Sequence, residues 1–123
     1  MDETVTGGRF DRIWDRASMV AIDPTLREEY VKVMGKNIQP GGQILLVTIE
    51  KRTGTNDDAL KKGPPYSISE SEVRKLYEKQ DWVESVTLLE EVDDFIAHPD
   101  MKERFVGEGI TSMYELYFLI QTK

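Results

Sequence analysis

The stretch Ile44-Leu45-Leu46-Val47-Thr48-Ile49 limits what this chain can fold into more than any other. It is apolar apart from one threonine, with Pro40-Gly41-Gly42 before it and Glu50-Lys51-Arg52 after it. A run without polar alternation has no face to offer to water, and it is too short for a buried helix of ordinary length. It is therefore expected to be a strand buried on both faces, in a parallel sheet covered by helices. Pro40-Gly41-Gly42 reads as the turn that precedes it.

The rest of the chain supplies elements of the right kind. Arg9 to Asp15 reads as a first strand, and Ser18 to Ile22 is an apolar patch too short to classify. A helix is expected from Pro24 to Lys36, with Asp23 as its cap and Gly35 as its stop. Leu26, Tyr30, Val33 and Met34 form its apolar stripe. Thr53 to Lys62 is a polar loop, and Gly63-Pro64-Pro65 is a stiff lead into a second helix. That helix opens with Ser69 and Glu72 spaced as a capping box and with Ile68 and Val73 as a hydrophobic staple. Val73, Leu76 and Tyr77 are its buried stripe. Trp82 to Val92 reads as a strand, Asp93 to Phe105 as a helical connection interrupted by Pro99, and Met113 to Gln121 as a last apolar strand. Strands alternating with helices make this an α/β fold in a single domain.

Composition removes several function classes. The formal charge of −7 disfavours nucleic acid as a partner, since phosphate binding needs surplus Lys and Arg. With no cysteine there is no disulfide, thiolate metal site or cysteine nucleophile. A single histidine, His98, excludes a His–His zinc pair. No apolar run is long enough to span a membrane. A soluble, cytoplasmic protein is expected.

Several short segments, taken in order, resemble a known family. Phe10-Asp-Arg-Ile-Trp-Asp-Arg16, then Val20-Ala-Ile22 and Pro24, look like the middle strand and its sequel in thiopurine S-methyltransferases. Gly63-Pro64-Pro65 before a capped helix, Glu103-Arg104, Gly109-Ile110 and a final apolar strand follow in the family's order. The resemblance implies the C-terminal half of a Rossmann-like methyltransferase sheet. That sheet is three-layered with one antiparallel strand, and residues 1–123 form a single partial domain holding the fourth to seventh strands. Met113–Gln121 would lie between Ile44–Ile49 and Trp82–Val92. The implied activity is methyl transfer from S-adenosylmethionine to a small-molecule thiol, with heterocyclic and aromatic thiols as the substrate class.

Site residues follow from the same resemblance. Arg16 matches the position that contacts the cofactor after the fourth strand, and the carboxyl end of a parallel strand suits a ligand site. Its structural alternative is a surface arginine paired with Asp15 or Asp23. Arg104 matches an arginine near the substrate pocket, and its alternative is a solvated charge. Tyr66 is a further candidate for the pocket. Trp14 is expected in the core. His98 is expected to be solvated, and so is the acidic run Glu90-Glu91, Asp93-Asp94. Gly107-Glu108-Gly109 lacks the third glycine of a dinucleotide loop. No protein nucleophile is needed, because methyl transfer is an in-line displacement at a sulfonium-bound carbon.

The family's glycine-rich turn after the first strand and its acidic residue after the second have no counterpart here. Residues 9–15 would then be an exposed edge strand, expected to pair with a second copy or with a separate N-terminal half. The competing expectation is a non-catalytic oligomerising or binding module built on the same fold.

Overall fold

A computed structural model describes residues 10–16, 18–53 and 66–123. Arg9, the loop residues 54–62 and Gly63–Pro65 lie outside them. Strand β1 (Phe10–Arg16) is followed by a short helix α1 (Ser18–Ala21), a 3-10 turn (Pro24–Leu26) and helix α2 (Arg27–Asn37). Then come strand β2 (Ile38–Arg52), helix α3 (Glu70–Glu78) and strand β3 (Val83–Asp93). Helices α4 (Asp94–Ala97) and α5 (Pro99–Val106) lead into strand β4 (Ser112–Thr122). The strands form one sheet in the order β1-β2-β4-β3.

β1 and β2 are parallel, and β4 is antiparallel to both β2 and β3. β3 therefore runs the same way as β1 and β2, and the carboxyl ends of all three lie at one edge of the sheet. The last strand sits between the second and third, as the resemblance implies.

Alternation along the strands sorts the side chains onto two faces. Ile13, Ile44, Leu46, Leu116, Phe118 and Ile120 share one face by register. They form the main core with Val31 and Met34 of α2 and Val73 and Tyr77 of α3. The opposite face carries Trp14, Leu45, Val47, Ile49, Tyr117 and Leu119. Toward the carboxyl edge it is covered by Phe95, Phe105, Ile110 and Met113, which form a second cluster against Ile49.

The local signals are used in four unexpected ways. Pro40-Gly41-Gly42 is not a turn before the strand but part of β2, where the register against β1 shifts between Phe10 and Arg12. Gly41 adopts φ 78° and its N–H donates to the Lys123 carbonyl at 2.7 Å. A Cβ on Gly42 would stand 2.8 Å from the Asp11 carbonyl oxygen. Gly41 thus supplies the positive φ of an irregular stretch of strand, and Gly42 lets a neighbouring backbone approach.

Asp23 does open the next segment, its carboxylate accepting from the Thr25 N–H at 2.9 Å. Gly35, however, does not stop the helix, which runs on to Asn37. A Cβ there would lie 2.3 Å from Nε1 of Trp82, so Gly35 makes room for the indole. The apolar stripe is also displaced. Arg27, Val31, Met34 and Asn37 are buried, whereas Leu26 and Val33 are exposed.

α3 begins as its sequence predicts, with Ser69 Oγ accepting from the Glu72 N–H at 3.3 Å and with Ile68 and Val73 buried. The Glu72 carboxylate bonds Arg27 Nη1 at 2.7 Å, which ties α3 to α2. Trp14 is the clearest departure. It is 67% exposed rather than in the core, because it lies on the open face of the sheet's edge strand. A groove of about 350 Å³ beside it is lined by Ile13, Trp14, Tyr30, Val33 and Met34 among others.

Candidate functional site

β1 ends at Arg16, which leaves the guanidinium at the carboxyl edge on the open face. Across the sheet, Arg16 is level with Val47 of β2 and Tyr117 of β4. Its Nη2 donates to Glu115 Oε1 at 3.4 Å, and the Tyr117 hydroxyl donates to Glu115 Oε2 at 2.8 Å. Arg16 thus pairs with neither Asp15 nor Asp23, but with a carboxylate from the distant last strand. Its side chain is 52% exposed and that of Glu115 is 15% exposed. The hydrogen bond with Tyr117 and the charge of Glu115 both hold the guanidinium's proton more firmly than usual. Hydrogen bonding to Glu115 likewise raises the Tyr117 hydroxyl.

Next to this pair stands Asp94, the first residue of α4. Its residue is 1% exposed, and Oδ1 is buried with no hydrogen-bond partner. Burial first, then the charge of Glu115, push its carboxyl up to about 6. This corrects the expectation that the whole acidic run is solvated. Glu90 and Glu91 are exposed, but Asp93 caps α4 by accepting from the N–H groups of Phe95 and Ile96, and Asp94 is inside. Among the described residues, no three or more His, Cys, Asp or Glu side chains are grouped as a metal site would need.

Arg104 and Tyr66 reach the same end of the molecule by other routes. Arg104 is exposed on α5, its guanidinium carbon 4.8 Å from the centroid of the Phe105 ring. Lys51 Nζ lies 5.0 Å from the same centroid, so the ring has cations near it from α5 and from the end of β2. Burial lowers the Lys51 ammonium, which is the expected direction for a cation taken out of water. Tyr66 is half-buried, and its N–H donates to the carbonyl of Val20 just after β1 at 2.7 Å. His98 is exposed between α4 and α5, as expected. Gly107 to Gly109 form a turn after α5.

Three neighbours of the site were not singled out in the sequence: Glu115, Tyr117 and Asp94. Glu115 had a signal, because it is the lone charge inside the apolar strand Met113–Gln121. A carboxylate inside such a strand needs a partner across the sheet. Tyr117, two residues on, shares its face. Asp94 had none, being one of several acids in a row.

A half-exposed guanidinium, a tyrosine hydroxyl and carboxylates meet at the carboxyl ends of parallel strands, where open α/β sheets place ligands. Among the described residues, no helix is long and apolar enough to cross a membrane.

Known proteins share this fold and much of this sequence. Haemonchus contortus phosphoethanolamine N-methyltransferase 2, solved with S-adenosyl-L-methionine, superposes with a TM-score of 0.59 at 11% identity, over 93% of this chain and 33% of that one. The [4+2]-cyclase SpnF superposes with a TM-score of 0.56 at 12% identity, over 92% of this chain and 49% of that one. These likenesses show the Rossmann-like methyltransferase fold. The thiopurine S-methyltransferase of Aliivibrio salmonicida is 36% identical over 112 residues, 91% of this chain and 46% of that protein. The rabbit (Oryctolagus cuniculus) thiopurine S-methyltransferase is 32% identical over 116 residues, 94% of this chain and 42% of that protein. The chain thus spans less than half the length of these relatives. The sequence model of the family, thiopurine S-methyltransferase, matches residues 3–121, and the chain belongs to that family.

Proposed function

We propose that this chain is the C-terminal half of a methyltransferase that uses S-adenosylmethionine to methylate a small-molecule thiol. Arg16 is its cofactor contact, and Arg104 and Tyr66 belong to the acceptor side. The observation that carries this reading is the placement of Arg16, half-exposed at the carboxyl end of β1 and braced by Glu115.

When bound, the cofactor supplies a methyl group on a sulfonium. The chain's own groups then act by position and charge. Arg16 offers donors to an anionic or carbonyl oxygen and is held in place from the sheet by Glu115. Arg104 and Lys51, both close to the Phe105 ring, make the acceptor side positive, which favours the thiolate form of an acceptor. Only one wall of a cofactor cradle lies in these residues. The glycine-rich turn and the ribose-binding acid expected of the family belong to strands that precede β1.

The partner of the open edge is inferred to be that N-terminal half, supplied in the same or another chain. Titration calorimetry with S-adenosylhomocysteine tests the reading, on the chain alone and after addition of an N-terminal half from a relative. Binding is expected only in the completed assembly. Arg16→Ala is expected to weaken it by about tenfold to a hundredfold, the worth of a charge-assisted hydrogen bond. Equal affinity with and without Arg16, or no binding in the completed assembly, overturns it.

A further inference from the structure

We propose that Asp94 is a positioning residue that acts through Glu115 on Arg16: charged, it drives Glu115 onto the guanidinium, and protonated, it loosens that hold and leaves Arg16 available to a ligand. The geometry comes first. Asp94 is 1% exposed and Oδ1 has no hydrogen-bond partner, although a buried carboxylate oxygen is normally satisfied. It follows Asp93, which is level with Tyr114 of β4, while Val92 is level with Glu115, so the chain enters α4 alongside the Glu115 segment. The charges that act on it are those of Glu115 from β4, Arg16 from β1, Asp93 from the end of β3 and His98 from just beyond α4. α5 packs on α4 but turns Asp100, Lys102, Glu103 and Arg104 to solvent.

The physical step is a repulsion relieved by a cation. Asp94 and Glu115 are like charges, and the charge of Glu115 adds to the cost of ionising the buried Asp94. Glu115 has an outlet in Arg16, at 3.4 Å, and Tyr117, at 2.8 Å. Asp94 has no such outlet. While both acids are charged, they outnumber the single guanidinium, so an anion approaching Arg16 is repelled. Once Asp94 takes a proton the trio is neutral, and Arg16 can exchange Glu115 for a ligand anion at lower cost. The raised carboxyl of Asp94, about 6, places this change close to neutral pH.

The functional weight of the coupling rests on Arg16 being a ligand contact, as proposed above. The test needs no ligand, so the two readings fail separately. Carbon-detected NMR follows the Asp94 carboxyl across pH, while the Nε–Hε signal of Arg16 is followed in the same samples. Both are expected to move with one midpoint. The Arg16 step is expected to vanish in Asp94→Asn. In Glu115→Gln the Asp94 midpoint is expected to fall by about one unit, as for removal of a nearby like charge. An Asp94 midpoint in the ordinary carboxylate range, or an Arg16 signal that ignores it, overturns the proposal. A signal shift that persists unchanged in Asp94→Asn does the same.

Discussion

Asp93 and Asp94 are adjacent and chemically identical, yet the fold gives them opposite tasks. Asp93 turns its carboxylate onto the free N–H groups of Phe95 and Ile96, at 2.9 and 3.2 Å, where an anion is favoured by the helix terminus. Asp94 is buried within the influence of the Glu115 charge, and its Oδ1 has no hydrogen-bond partner. The consequence for stability has a definite sign. Its carboxyl is raised from 3.8 to about 6 in the fold, so between those values the folded chain holds more protons than the unfolded one. The stability tied to that proton is full below the lower value and lost as pH rises through the upper one. Asp94→Asn is therefore expected to be more stable than the parent at pH 7 by about 1 to 3 kcal/mol, since one pK unit is about 1.4 kcal/mol. Urea melts at pH 4 and pH 7 check this, because the gain should shrink at the lower pH. Little of this residue's role was legible in the sequence. An acid in a row of acids carries no mark of which one the chain turns inward. Arg16 was singled out by its family position and its place at a strand end, but the carboxylate it pairs with, Glu115, is 99 residues away and is found only through sheet register.

The elements show why local signals succeed for boundaries and fail for faces. The cap at Ser69, the staple of Ile68 and Val73, and Pro99 at the start of α5 act within a few residues, and the chain folds there as they dictate. The buried face of α2 depends on what packs against it, and periodicity alone chose Leu26 and Val33, which are exposed. Arg27 takes the inner position instead, because its guanidinium finds Glu72 and the Ser67 carbonyl on the neighbouring segment. Gly35 illustrates the same limit. Read locally, a glycine near a helix end is a stop. In the fold it sits in mid-turn under the Trp82 ring, which in turn packs edge-on to Tyr77 at 6.1 Å between centroids. Alanine normally stabilises a helix over glycine by about 1 kcal/mol. Gly35→Ala is expected to do the reverse and destabilise by about 1 to 3 kcal/mol, because the added methyl must displace a packed indole. A thermal melt gives the sign, and a change in Trp82 fluorescence locates the cause. A neutral or stabilising result would mean that the ring moves aside freely.

At the scale of the molecule, the alternation of strands and helices was legible as an α/β layer, but the insertion of β4 between β2 and β3 was not. Pairing between strands far apart in sequence leaves no local trace, and that order came from the family resemblance. The edge at β1 is where the proposed N-terminal half has its sharpest consequence. A second copy is a poor cover for it. Antiparallel pairing about a two-fold axis centred on Ile13 sets Asp11 opposite Asp15, and centring on Trp14 sets Arg12 opposite Arg16. Like charges face each other in either register. A parallel strand from an N-terminal half meets no such constraint, and its helices can cover Trp14 together with the groove against Val33. Adding that half is expected to shift Trp14 emission to the blue and to protect it from acrylamide, while Trp82, already half-buried, changes little. Trp14→Lys should weaken assembly by at least about tenfold, since burying a large apolar side chain is worth about 2 kcal/mol or more. The same variant should leave the melting of the isolated chain unaltered, because a side chain 67% exposed contributes little to its core. Sedimentation of the isolated chain supplies the contrast. A stable homodimer that Trp14→Lys dissolves would assign the flank to self-association instead.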